Sequence, residues 1–195
     1  FSSSSSSISL FSLIHSNNNN NNNNTSSHRY LLSLDQAQRI YRGKEPRCDR
    51  IEAHQELKKR GELVVWTDLP LDANIIFVSH EWVGWSHPDP HGIQLKAFLR
   101  TMKRLMNGEI AQVEMNAAHA LLFKTNKIVR AEEWKEILRT AFIWFDWGSM
   151  PQPSACPPSV SDEEKKEMGT NLGKAVKSIP AYVEKSDFVA IVAPG

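Results

Sequence analysis

Cysteine is scarce in this chain: Cys48 and Cys156 are the only two among 195 residues. Far apart and without CxxC spacing, they exclude a disulfide framework and a cysteine-rich zinc site, so a reducing, cytoplasmic setting is the simpler expectation. A charge surplus is equally missing. Lys and Arg number 23 against 22 Asp and Glu, so bulk electrostatics point to neither a nucleic-acid nor an anionic-membrane partner. No run approaches the roughly 20 apolar residues of a spanning helix, and no membrane protein is expected. Neither GxGxxG nor a GxxxxGK sequence followed by Ser or Thr occurs, which disfavours Rossmann-type dinucleotide binding and P-loop hydrolysis. No GxSxG elbow surrounds Ser79, and its base candidate His80 is its direct neighbour, so a serine hydrolase is not expected.

What is present suits one soluble domain with a real core, given 41% apolar residues. The first 29 residues hold a serine tract (2–7) and an asparagine tract (17–24). That composition predicts a disordered tail. The apolar ISLFSLI at 8–14 lacks the basic flank and cleavage site of a signal peptide. The chain begins at Phe1 rather than methionine, which reads as a fragment or a mature product. Residues 30–62 carry sparse apolar positions among charges and read as a peripheral helical arm, divided near Gly43 and Pro46. The compact domain is expected over 63–195.

Within it, LVVW at 63–66 is a short strand candidate. The stretch NIIFVSHEWVGW at 74–85 is the most informative in the chain. Its run of Ile75, Ile76, Phe77 and Val78 lacks polar alternation, as expected of a strand covered on both faces in a parallel sheet. It then delivers Ser79, His80, Glu81 and Trp82 to the strand's carboxyl end, where ligands gather in such sheets. A helix over 92–106 follows, with Ile93, Leu95, Phe98, Leu99, Met102 and Leu105 at helical spacing and basic residues between them. A long insertion (108–140) is read as helical over 117–123 and 132–138. FIWFDW at 142–147 gives a second buried strand ending in Asp146. Ser161 with Glu164 forms a capping box that opens a helix at Asp162, which Pro180 interrupts. FVAIVA at 188–193 is the third buried strand. Alternating strands and helices predict an α/β fold with a parallel sheet. Three strong strands are few for a finished sheet, and truncation after the third is expected.

Several constellations could carry chemistry. His80, Glu81, His87, Asp89 and His91 are dense enough to raise a metal site, but their spacing fits a turn-rich loop better, and no metal is expected. Glu81 is either a general base at the strand rim or an ion-pairing or capping carboxylate. Asp146 stands on the same sheet edge and shares that ambiguity. Trp82, Trp85, Trp144 and Trp147 either stack on a flat ligand or fill the core margin.

The ordered set FVSHEW, FIWFDWGSMPQ and KAVKSIPAYVEKSDFVAIVAPG resembles the TIR-like superfamily, including its heterokaryon-incompatibility-like branch, over about residues 73–195. The resemblance implies a flavodoxin-like sandwich and a role in immune, incompatibility or stress-type signalling through homotypic self-association. Ser79, His80, Glu81, Trp82, Asp146 and Gln152 would line its ligand cleft. Lys174, Lys177 and Tyr182 would present its interaction surface. Some members hydrolyse NAD with a glutamate on the helix after the third strand, and no glutamate of this chain matches that position. NAD is therefore a candidate ligand, or a substrate of a longer protein. A flavodoxin-like domain of another kind is the third reading.

Overall fold

A computed structural model describes residues 7–12, 30–42, 47–114 and 128–193. Its strands are β1 (Ser7–Ser12), β2 (Tyr30–Ser33), β3 (Leu63–Val65), β4 (Asn74–His80), β5 (Gln112–Glu114), β6 (Ile128–Arg130), β7 (Ala141–Phe145) and β8 (Phe188–Ala193). Its helices are α1 (Leu34–Arg42), α2 (His54–Lys59), α3 (Ile93–Met106), α4 (Ala131–Arg139), α5 (Asp146–Ser149), α6 (Asp162–Lys177) and α7 (Ile179–Glu184).

Six strands form one mixed sheet in the order β1-β8-β4-β7-β2-β3. Its centre is the parallel trio β8, β4 and β7, the three strands whose unbroken apolar runs announce burial on both faces. Side chains alternate across the pleat. Ile76 and Val78 of β4, with Ile143 and Phe145 of β7, join the larger core against α1, α3 and α4. Ile75 and Phe77, with Trp144, face α6 and α7 through Ala175 and Tyr182. Phe77 and Trp144 stack across the β4–β7 pair at 4.5 Å. Each fully buried large apolar side chain contributes about 1.5–3 kcal/mol, so this double layer fixes the register in which β4 and β7 end side by side.

The expectation of a wholly parallel sheet is corrected at both edges. β1 runs antiparallel on β8, while β2 runs antiparallel on β7 and carries β3. Residues 7–12 of the expected disordered tail thus form an edge strand, with Ile8 and Leu10 against the core. The rest of that tail lies outside the described residues. The 30–62 segment is likewise no peripheral arm. Leu32 pairs with Ile143, and Leu34, Ala37, Ile40 and Tyr41 of α1 are core residues, so the compact domain takes in β2 and α1 as well. In the insertion, β5 and β6 make a separate two-stranded ladder that leads into α4. The helix expected over 117–123 lies outside the described residues.

The caps follow the sequence closely. Ser161 and Glu164 bond reciprocally at the start of α6, and Pro180 sits in the first turn of α7, directly after α6 ends. Asp89 does comparable work for α3. Its carboxylate accepts from the backbone N–H groups of Ile93 and Leu95, each at 2.9 Å, which satisfies donors that a helix start leaves unpaired.

Candidate functional site

β4 and β7 are parallel neighbours, with Val78 opposite Phe145, so the residues that follow them emerge together at one edge of the sheet. There His80 donates its Nε2–H to Asp146 Oδ1 at 2.7 Å. Trp82 donates its indole N–H to Asp146 Oδ2, also at 2.7 Å. A third donor, the backbone N–H of Trp147, reaches Oδ1. Charge-assisted bonds of this kind are roughly twice as strong as neutral ones. Asp146 therefore acts as a hub that orients two side chains from the other strand's exit.

The His80 side chain is only 2% exposed and its ring lies 4.2 Å from that of Phe145. Because the carboxylate can only accept, the bond to Asp146 places a proton on Nε2. Nδ1 is buried without a hydrogen-bond partner among the described residues. Such an atom costs free energy unless something else engages it. Trp82 stands edge-on to Trp147 at 5.7 Å and leaves nearly half its surface open. The site combines a fixed imidazole, a fixed carboxylate and an open aromatic face. Those groups suit recognition of a ligand with a flat ring and hydroxyl groups.

No protein-family model, curated protein or solved structure matches this chain. Its site must be read from its own geometry.

The remaining sequence candidates divide. Gln152 is buried and its side-chain amide donates to the carbonyls of Asp146 and Met150, so it shapes the loop after β7. Ser79 points to the opposite sheet face from His80 and is exposed, in register with Ile191 of β8. The Glu81 side chain is exposed, and its backbone carbonyl accepts from Gln94 at 2.7 Å. Neither meets the His80–Asp146 pair among the described hydrogen bonds. Lys174 and Lys177 are exposed on α6. Tyr182 is corrected as an interaction residue: it is 2% exposed, its ring 5.4 Å from that of Trp144. The helical spacing that puts Ala175 and Ile179 on the sheet puts Tyr182 there as well.

The loop between β4 and α3 is a latch. His87 donates Nε2–H to the Ile51 carbonyl and accepts at Nδ1 from the Asp89 N–H. Both ring nitrogens are thereby committed, and among the described residues no group of three His, Cys, Asp or Glu side chains could hold a metal. His54 of α2 donates Nδ1–H to the Gly148 carbonyl, and Gln55 donates to the Gln152 carbonyl. The segment 49–55 thus fastens the loops after both β4 and β7. These fastenings end on backbone carbonyls, which carry no sequence signature.

Burial pushes His54 down to about 4 from its ordinary 6.5, and burial lowers His87 in the same direction. A histidine held neutral in the fold contributes its full stability above pH 6.5. That contribution is lost as pH falls through 6.5 towards 4, because the unfolded chain binds the proton more readily. For His54 the span corresponds to about 3 kcal/mol. Urea unfolding is expected to weaken by that order between pH 7 and 4, and His54→Asn should be less stable at neutral pH and show a flatter profile between pH 6.5 and 4.5. An unchanged slope in the variant would assign the acid sensitivity elsewhere.

Proposed function

We propose that this chain is a TIR-like signalling module that binds a nucleotide at the carboxyl edge of β4 and β7 and passes the signal on by self-association. The observation that carries the reading is the convergence of His80 and Trp82 on Asp146. The residues on which the family resemblance rests lie in hydrogen-bonded contact although they stand 66 and 64 positions apart.

Three further features support it. The parallel strands lie in the order β7-β4-β8, so the chain reverses direction across the sheet beside β4, and ligands of open α/β sheets sit at such reversal points. Ser79 and Ile191, both exposed, flank that point between β4 and β8. Helix α6 buries only Ala175 fully and leaves Lys174, Val176 and Lys177 open to a partner. Asp146 already accepts three donors, which favours binding over bond cleavage by this residue.

Titration with NAD, ADP-ribose and ATP, followed by tryptophan fluorescence and by sedimentation, tests both halves. At least one nucleotide should bind, and Trp82→Ala should weaken it roughly tenfold through the lost stacking. Sedimentation should show concentration-dependent association that Lys174→Glu with Lys177→Glu reduces. A chain that binds none of the three and stays monomeric would overturn the proposal. Release of nicotinamide from NAD would instead favour the glycohydrolase reading.

A further inference from the structure

The near-neutral whole-chain charge conceals a local asymmetry. Helix α3 carries Lys96, Arg100, Lys103 and Arg104 and not one acidic residue. Lys96 stands at the end of the first turn, where the helix dipole disfavours cations, and Arg100 lies before the last turn, where it would favour them, so helix stability accounts for neither. Ile93, Lys96, Arg100 and Lys103 fall at helical spacing on one face, opposite the core residues Leu95, Phe98, Leu99, Met102 and Leu105. Asp49 approaches Lys96 at 3.8 Å and Glu109 approaches Arg104 at 3.4 Å. Arg100 and Lys103 have no ion pair among the described residues.

The same edge bears exposed apolar side chains. Trp85 is fully exposed, and Val83 and Ile93 are about half exposed. The loop that carries them is tied to the first turns of α3. Gln94 donates to the Glu81 carbonyl, Lys96 to the His91 carbonyl, and Asp89 caps the helix. Val83 donates its N–H to the Pro88 carbonyl, which closes the turn that displays Trp85. The loop that displays Val83 and Trp85 thus leads into the end of α3 that bears Ile93.

We infer that this edge, formed by the 83–93 loop and the outer face of α3, docks on an anionic phospholipid surface. Basic residues attract the negative leaflet while Trp85, Val83 and Ile93 enter the headgroup region. The aliphatic residues decide between this and a single-stranded nucleic acid. Trp85 suits a base as well as a headgroup region, whereas Val83 and Ile93 gain from acyl chains and offer a base nothing to stack on. Docking of this kind needs no spanning segment, and among the described residues no helix is long and apolar enough to be one.

The test is co-flotation with vesicles of phosphatidylcholine alone and of phosphatidylcholine with a third phosphatidylserine. The protein should float with the anionic vesicles only and be released by 1 M salt, where the screening length falls to about 3 Å. Arg100→Gln with Lys103→Gln should weaken the partition about thirtyfold, and Trp85→Ala roughly tenfold. All three positions are exposed, so circular dichroism of the variants should match the parent. Absence of flotation at low salt, or flotation that neither variant changes, would overturn the inference. So would tighter binding to a single-stranded oligonucleotide than to the vesicles.

Discussion

Asp146→Ala is expected to lower the unfolding free energy by about 3 kcal/mol and to abolish the nucleotide binding proposed for the site. The carboxylate is the common acceptor for His80 Nε2–H, the Trp82 indole N–H and the Trp147 backbone N–H. Truncation leaves all three without it. Water can replace it at the half-exposed Trp82 but not at the buried His80, where an unpaired donor costs roughly 1–3 kcal/mol. The His80 ring would then have neither nitrogen partnered, since Nδ1 already lacks a partner. A double-mutant cycle with His80→Phe isolates the pair. Its coupling should lie at the upper end of the usual 0.5–3 kcal/mol or so for residues in contact. Additive losses would mean that the two side chains act independently, and the hub role of Asp146 would fail.

Gly92→Ala should cost about as much or more, on the order of 4 kcal/mol, for a different reason. Gly92 adopts φ +64, and a Cβ there would stand 1.8 Å from the Asp49 carbonyl oxygen and 2.8 Å from its carbon. Both are backbone atoms, so no side-chain rotation relieves the overlap, and the 49–51 segment must move. Gly61 supplies the control. It has a similar φ of +67 with nothing within 4 Å of the added carbon, so Gly61→Ala carries only the left-handed backbone penalty of about 1–2 kcal/mol. Urea denaturation of the two variants separates strain from collision. Equal losses would show that the close approach to Asp49 contributes nothing.

The central strands were legible because a strand buried on both faces needs no polar alternation, and β4, β7 and β8 each read as an unbroken apolar run. The caps at Ser161 and the break at Pro180 were legible because their chemistry is local. The edges were not. Ile8 and Leu10 alternate with serines in a compositionally biased tract, and only β8 beside them makes a strand of it. Leu31 and Leu32 look like the start of a charged helix until Ile143 and Phe142 stand opposite β2. Within α1, Ala37 and Tyr41 complete a buried stripe that Leu34 and Ile40 alone leave too thin.

At the site, His80, Trp82 and Asp146 could be found because strand ends deliver them. Ser79 and Glu81 came with them in sequence yet went elsewhere, since successive residues leave a strand on opposite sides. The charge of α3 was visible as basic residues between apolar ones. Its meaning depends on knowing that the loop before it leaves Trp85 in solvent.

No described hydrogen bond joins the stretch from Asp49 to Gln55 to the His80–Asp146 pair. It nevertheless bonds the loop after β4 through Ile51, and the loop after β7 through His54 and Gln55. The loops that follow the two central strands share one support. Anything that lifts this short segment would release the loops after both strands together.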